Sequence, residues 1–196
     1  MLDAAIGLIA TQLNQALRGA FQLSEDLVVV TNLVDVNGSA PVNATNKLII
    51  FLANIERETV VASQGMRAAV ASGGRDAVAQ TAAAVHLNLM LMFAANFGGS
   101  KYTEALKFIA ATIAFFQGRS FFDHHNSPDL DPRIERLALD IENLNVAELS
   151  NLWGILGGKY VPSILYRVRM ITFDSGHITN LVPRIGRAQG SVEGVS

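Results

Sequence analysis

Residues 121–132 read FFDHHNSPDLDP. His124 and His125, with Asp123 and Asp129, are the imidazole and carboxylate donors that a small metal-dependent hydrolase uses to hold a divalent ion and activate water. The spacing argues against that chemistry. Successive side chains in extended backbone project to opposite sides, so two adjacent histidines do not converge on one ion. Asn126, Ser127, Pro128 and Pro132 are turn formers, and Asp or His set among them solvates a connection. The segment reads as a polar loop, with the metal hydrolase as the alternative.

The likeness to phosphoesterases with an Asp-His-His motif is three letters deep. There the motif follows a buried strand and is joined by a separate upstream Asp-x-Asp; here it follows a long aromatic helical pattern, and no Asp-x-Asp precedes it. The chain contains no G-x-S-x-G, no phosphate-binding G-x-x-x-x-G-K-[ST] and no histidine pair at helical spacing. The expectation is a protein that is not an enzyme and takes no cofactor or metal.

The elements around the loop explain its setting. Half of the 196 residues are hydrophobic and only 16% are charged, against about 25% in an average globular chain. That leaves little polar surface to cover a monomer, and points to burial against other protein chains. A net charge of −2 without runs of one sign gives no footprint for nucleic acid. The absence of cysteine removes disulfides and thiolate chemistry and suits assembly in a reducing cytoplasm. The longest apolar runs are broken by His and Asn and fall short of a membrane span, so no direct membrane insertion is expected.

Leu2, Ile6, Ile9, Leu13 and Leu17 recur at spacings of four, three, four and four, an amphipathic helix with Gly19 near its end. DLVVVTNLV (26–34) and NKLIIFLANIERET (46–59) read as strands, the second buried at its start and solvated at its end. Residues 60–80 fit either a loop or a weak helix. HLNLMLMF (86–93) alternates, with Leu87, Leu89, Leu91 and Phe93 facing the core. Its other face carries Met90 and Met92, either covered by a helix or offered to a partner. Ser100 is placed to cap a long helix to about Gly118, with its stripe through Tyr102, Leu106, Ile109, Ile113 and Phe116.

Asn145 and Glu148 have capping-box spacing before a short helix bearing Leu149, Leu152, Trp153 and Leu156. Pro162 then opens a strand, with Ile164, Tyr166, Val168 and Met170 on one face and Leu165, Arg167, Arg169 and Ile171 on the other. Residues 175–196 are glycine-rich and read as a flexible or partner-ordered tail, leaving 1–174 as the folded domain. The sum is an α+β fold: one mixed or antiparallel sheet packed by an N-terminal, a long central and a short C-terminal helix.

The order of these segments is informative. NKLIIFLANIERE, HLNLMLMFAANF, KYTEALKFIAATIAFFQ, AELSNLWGIL and YVPSILYRVRMITFD succeed one another over residues 3–174. This resembles the cap or tube-terminator proteins of extracellular contractile injection systems, which are phage-tail-like particles. The most specific pieces are E-L-S-x-L-W followed by Y-x-P-S-x-x-Y-x-V, where Leu149, Leu152, Trp153, Pro162 and Tyr166 fall on the motif and anchor the fold.

The resemblance implies a homo-hexameric ring, of phage tail-terminator fold, on the last inner-tube ring and last sheath layer. It would stop polymerisation at the end far from the baseplate. The particle would then be released or tethered to a membrane. A phage tail terminator or neck protein is the alternative within the same class. Arg167, Arg169, Arg184 and Arg187, with Met90 and Met92, are the expected protein contacts. No catalytic residue is carried over.

Overall fold

The computed structural model describes residues 1–35, 37–39, 41–58, 67–72, 75–81, 85–157, 160–173 and 178–183; residues 67–72, 75–81, 85, 170–173 and 178–183 enter through their backbone. The chain divides into two compact units. One comprises Met1–Thr59 with His86–Thr172, the other Val60–Val85 with Phe173–Ser196.

The first unit is α+β. Helix α1 (Leu2–Phe21) ends where Gln22 turns left-handed and donates its N–H to the Arg18 carbonyl. Strands β1 (Val28–Val30) and β2 (Lys47–Arg57) follow, then β5 (Val85–Asn96), α2 (Tyr102–Gly118), β6 (Phe121–Asp123), β7 (Arg136–Ile141), α3 (Val146–Ile155) and β8 (Ser163–Phe173). The sheet order is β1-β2-β5-β8-β7-β6. It is mixed: β1 runs parallel to β2, while β2–β5, β7–β8 and β6–β7 are antiparallel. β7 was not singled out from sequence, and the 26–34 run yields a strand of only three residues.

Both faces of the sheet are buried. On one, Phe93 packs edge-on against Phe116 of α2 at 5.3 Å and against Tyr166 of β8 at 5.4 Å. The buried line of α2 runs through Ala105, Phe108, Thr112 and Phe116, while Tyr102 and Leu106 are exposed. The helix is thus rotated from the stripe expected. Thr112 is tolerated inside because its hydroxyl donates to the Phe108 carbonyl at 2.8 Å. Ser100 lies in a 3-10 turn, Gly99–Lys101, and caps nothing; Lys101 occupies the N-cap without a side-chain bond.

On the opposite face Ile49, Phe51, Met90, Met92, Ala94 and Leu165 form a cluster with Trp153. The capping box of α3 is complete: Glu148 N–H donates to Asn145 Oδ1 and Asn145 N–H to Glu148 Oε2, each at 2.9 Å. This starts the helix so that Trp153, 3% exposed, comes down on the two methionines. A β-bulge in β2 makes Ala53 an extra residue, with Leu52 opposite Leu91 and Asn54 opposite Met90.

The outer strand β1 is tied to α1 by a buried amide. Asn14 Nδ2 donates to the Val28 carbonyl at 2.9 Å, and Val28 N–H donates to Asn14 Oδ1 at 2.7 Å.

The second unit contains a three-stranded antiparallel sheet of β3 (Arg67–Ser72), β4 (Arg75–Thr81) and β9 (Ile178–Pro183), in the order β3-β4-β9. Of the 60–80 segment, residues 67–72 and 75–80 are therefore paired strands rather than a loop or weak helix, and the rest lies outside the described residues. Small, alternating residues such as Ala68, Val70, Ala77 and Ala79 give a helix little apolar face, and strand pairing satisfies their backbone instead. The chain expected as a tail after 174 includes β9, which returns to pair with β4.

Candidate assembly surface

The 121–132 segment is an organised turn. Asp123 closes β6, and its Oδ1 accepts from the N–H groups of His125 and Asn126, each at 3.0 Å. These donors, Asn126 N–H foremost, hold the Asp123 carboxyl below its ordinary range. Asp131 is spent in the same way. Its Oδ1 accepts from Arg133 N–H and Nε, both at 2.9 Å, and its Oδ2 from Nη2 at 2.6 Å, so its carboxyl is held well below the usual range.

The His125 side chain is 97% exposed, with Nδ1 4.0 Å from Asp123 Oδ1. Among the described residues, no three His, Asp or Glu side chains stand close enough to hold a metal. Beneath the turn Ser127, Leu130 and Ile134 are buried, so the segment plugs the end of the core.

Asn126 is the busiest side chain of the turn. Its Nδ2 donates to the Phe121 carbonyl at 3.1 Å, and its Oδ1 accepts from Asp123 N–H at 3.1 Å. Arg119, just past α2, donates to the Asn126 carbonyl and to Ser127 Oγ at 3.1 Å, and its guanidinium lies 4.9 Å from the centroid of the Phe122 ring. Arg119 was not identified from sequence, and Asn126 only as a turn former. The available signals were an Arg one residue past a helix and an Asn three residues past an Asp.

Arg167 and Arg169 lie on the α3-side face of β8, and both are paired. Arg167 Nη2 is 2.9 Å from Glu142 Oε2 and 3.9 Å from Glu56 Oε2; Arg169 Nη2 is 3.0 Å from Asp140 Oδ2. They belong to a partly exposed ladder of mixed charge, with Asn88 Nδ2 donating to Glu58 Oε2 at 2.9 Å nearby. Arg184 and Arg187 lie outside the described residues.

Met90 and Met92 are 6% and 1% exposed. Of the two alternatives for that face, the covering helix holds, because α3 folds over it. The apolar surface available to a partner is instead the outer side of α3. Val146 and Ile155 are 85% and 84% exposed, with Tyr160 beside Trp153, ring centroids 5.4 Å apart. A cleft of about 400 Å³ runs between Ile155 and Leu156 and the Leu33–Val34 and Phe51–Leu52 segments. Leu149 and Leu152 pack partly buried at the margin of the Trp153 cluster. Pro162 is buried, and its carbonyl accepts from Ala95 N–H at 2.9 Å. Burial pushes the Tyr166 hydroxyl up to about 12. Among the described residues, no helix is long and apolar enough to cross a membrane.

These features describe a scaffold with an apolar ridge and a neutralised charged ladder, and comparison with known proteins is consistent with that description. No curated protein matches the chain. Solved structures that share its fold include two terminators. One is described as the sheath/tube terminator of an extracellular contractile injection system, PVC, in the extended state (14% identity, TM-score 0.55, covering 95% of this chain and 64% of that one). The other is the tube-terminating cap of the anti-feeding prophage (14% identity, TM-score 0.50, covering 95% and 58%). The chain thus spans less than two thirds of either solved chain. The model of the Pvc16 N-terminal domain matches residues 6–187, and the chain belongs to that family.

Proposed function

We propose that this chain is a structural cap that ends the inner tube and sheath of a contractile injection particle. The observation that carries the reading is the family match over residues 6–187. The likeness in fold to two terminator structures over 95% of the chain supports it. The physical character of the surface agrees. A protein with 16% charged residues, exposed Val146 and Ile155 on one short helix and exposed Tyr160 just beyond it is suited to being covered by other protein.

In this reading the chain forms a closed ring on the last tube ring and holds the last sheath layer. A ring that closes on itself leaves no open end along its own interface. Its work is contact rather than chemistry, and its partners are proteins rather than nucleic acid. It is assembled in the bacterial cytoplasm.

The test is electron microscopy of particles from cells lacking this chain. Tubes of uncontrolled length, or sheaths loose at the end far from the baseplate, are expected. Capped particles of normal length would rule the reading out.

A further inference from the structure

The outermost strands of the six-stranded sheet are β1 and β6, and an asparagine side chain bonds outward backbone groups of each. In β1 the Leu27 carbonyl and the Thr31 N–H bond to β2, so Val28 turns its own N–H and carbonyl away from the sheet. Asn14 takes both, at 2.7 and 2.9 Å, which is the bonding an antiparallel neighbour would offer.

In β6 the Ser120 carbonyl accepts from Leu139 N–H of β7, so Phe121 and Asp123 face outward. Asn126 gives its Nδ2 to the Phe121 carbonyl and its Oδ1 to Asp123 N–H, both at 3.1 Å. That is the bonding of a parallel neighbour. The remaining Asp123 carbonyl accepts from Ser127 N–H at 2.8 Å.

We infer that these two asparagines blunt the outermost strands against strand addition, occupying the outward groups of Val28 in β1 and of Phe121 and Asp123 in β6, so that once the chain is seated as a cap a further subunit meets backbone groups already bonded at both places. Edge strands pair with foreign strands through unpaired N–H and C=O groups. Here a carboxamide, which carries one donor face and one acceptor face, stands in for the missing strand. Asn14 does so from within the buried face of α1; Asn126 does so from a turn that Arg119 holds in place. The inference rests on the cap reading only for its consequence in the particle. The sealing itself is a property of the isolated chain.

The first test therefore uses the full-length isolated chain. Asn126→Ala changes an exposed turn residue, and an unchanged far-ultraviolet spectrum establishes that it folds. Amide exchange at Asp123 is expected to accelerate at least tenfold. Sedimentation should reveal larger, concentration-dependent species that the parent chain does not form. Asn126→Asp keeps the acceptor for Asp123 N–H but loses the donor to Phe121, and should fall between the two. Unchanged exchange, or unchanged sedimentation in Asn126→Ala, overturns the inference.

In particles, Asn126→Ala should leave protein stacked beyond the cap. Clean ends in that variant, where deletion of the whole chain gives overgrown tubes, also overturn it. If deletion itself leaves length unchanged, the cap reading fails, and exchange and sedimentation still decide the sealing.

Discussion

Arg119 Nη1 donates to Gln12 Oε1 at 2.8 Å, joining residues 107 apart in sequence. The same guanidinium reaches the Asn126 carbonyl and Ser127 Oγ and covers the Phe122 ring. One side chain thus fastens α1, the end of α2, β6 and the following turn. Arg119→Ala should cost about 2 kcal/mol, from several charge-assisted bonds lost together. Arg119→Lys should recover less than half, because an ammonium cannot span the same fan of acceptors. Urea denaturation of the three proteins checks this.

Trp153 is the single tryptophan, and it is buried against Met90 and Met92. Trp153→Ala should cost about 3–5 kcal/mol. Trp153→Phe should cost far less, since among the described residues the indole Nε1 has no hydrogen-bond partner to lose. The parent emission should be blue-shifted and move red on unfolding, so fluorescence-monitored melts read both the burial and the loss.

Replacing Asn14 by Ala should cost about 2 kcal/mol, because Val28 is left with a buried, unpaired N–H and carbonyl. Asn14→Asp should be as damaging at pH 7, where a carboxylate would face the Val28 carbonyl. It should be milder near pH 4, where the acid is protonated and donates. Thermal melts at the two pH values separate the cases.

The histidines of the 121–132 turn should be nearly silent. His124→Ala and His125→Ala are each expected within about 0.5 kcal/mol of the parent, as both side chains stand in solvent. Asp123→Asn, by contrast, should remove a pH dependence. The folded Asp123 carboxyl is held below its ordinary 3.8. Its stabilisation is therefore present above 3.8 and is lost as pH falls through the lower folded value. Acid melts of the parent and Asp123→Asn should converge at the lowest pH and diverge above it.

Tyr166 gives the opposite sign at the alkaline end. Its hydroxyl is raised from 10 to about 12 by burial, so the folded state holds a proton that the unfolded state releases. The Tyr166 contribution to stability should be flat below pH 10 and decline from 10 to 12. Absorbance titration at 295 nm should show one tyrosine ionising only at about pH 12.

Much of this fold was legible because its elements are strongly periodic. The Leu2-to-Leu17 stripe, the alternation of 86–93 and the Asn145–Glu148 box each specify local geometry by themselves. The rotation of α2 was not legible, because Phe, Ile and Ala surround that helix and the helix packs on one of several apolar faces. The sealing asparagines were hidden for a different reason. Asn14 interrupts an apolar stripe and Asn126 sits in a turn-rich run, and only the arrangement of strands shows what either amide bonds to. The 121–132 segment drew notice for its histidines, whereas its structural weight rests on Asn126, Asp123 and Asp131.

The extra residue at Ala53 carries one more consequence. Before it, Ile49 and Phe51 point toward Trp153; after it, Asn54 and Glu56 point that way, and Glu56 comes within 3.9 Å of Arg167. Strand β2 therefore changes reading frame halfway along, presenting odd-numbered positions to α3 and then even-numbered ones. If Ala53 were instead paired regularly, opposite Met90, Ile55 would turn toward the arginines and Glu56 toward the leucines of β5. One bulged residue thus sets the facing of the whole second half of the strand.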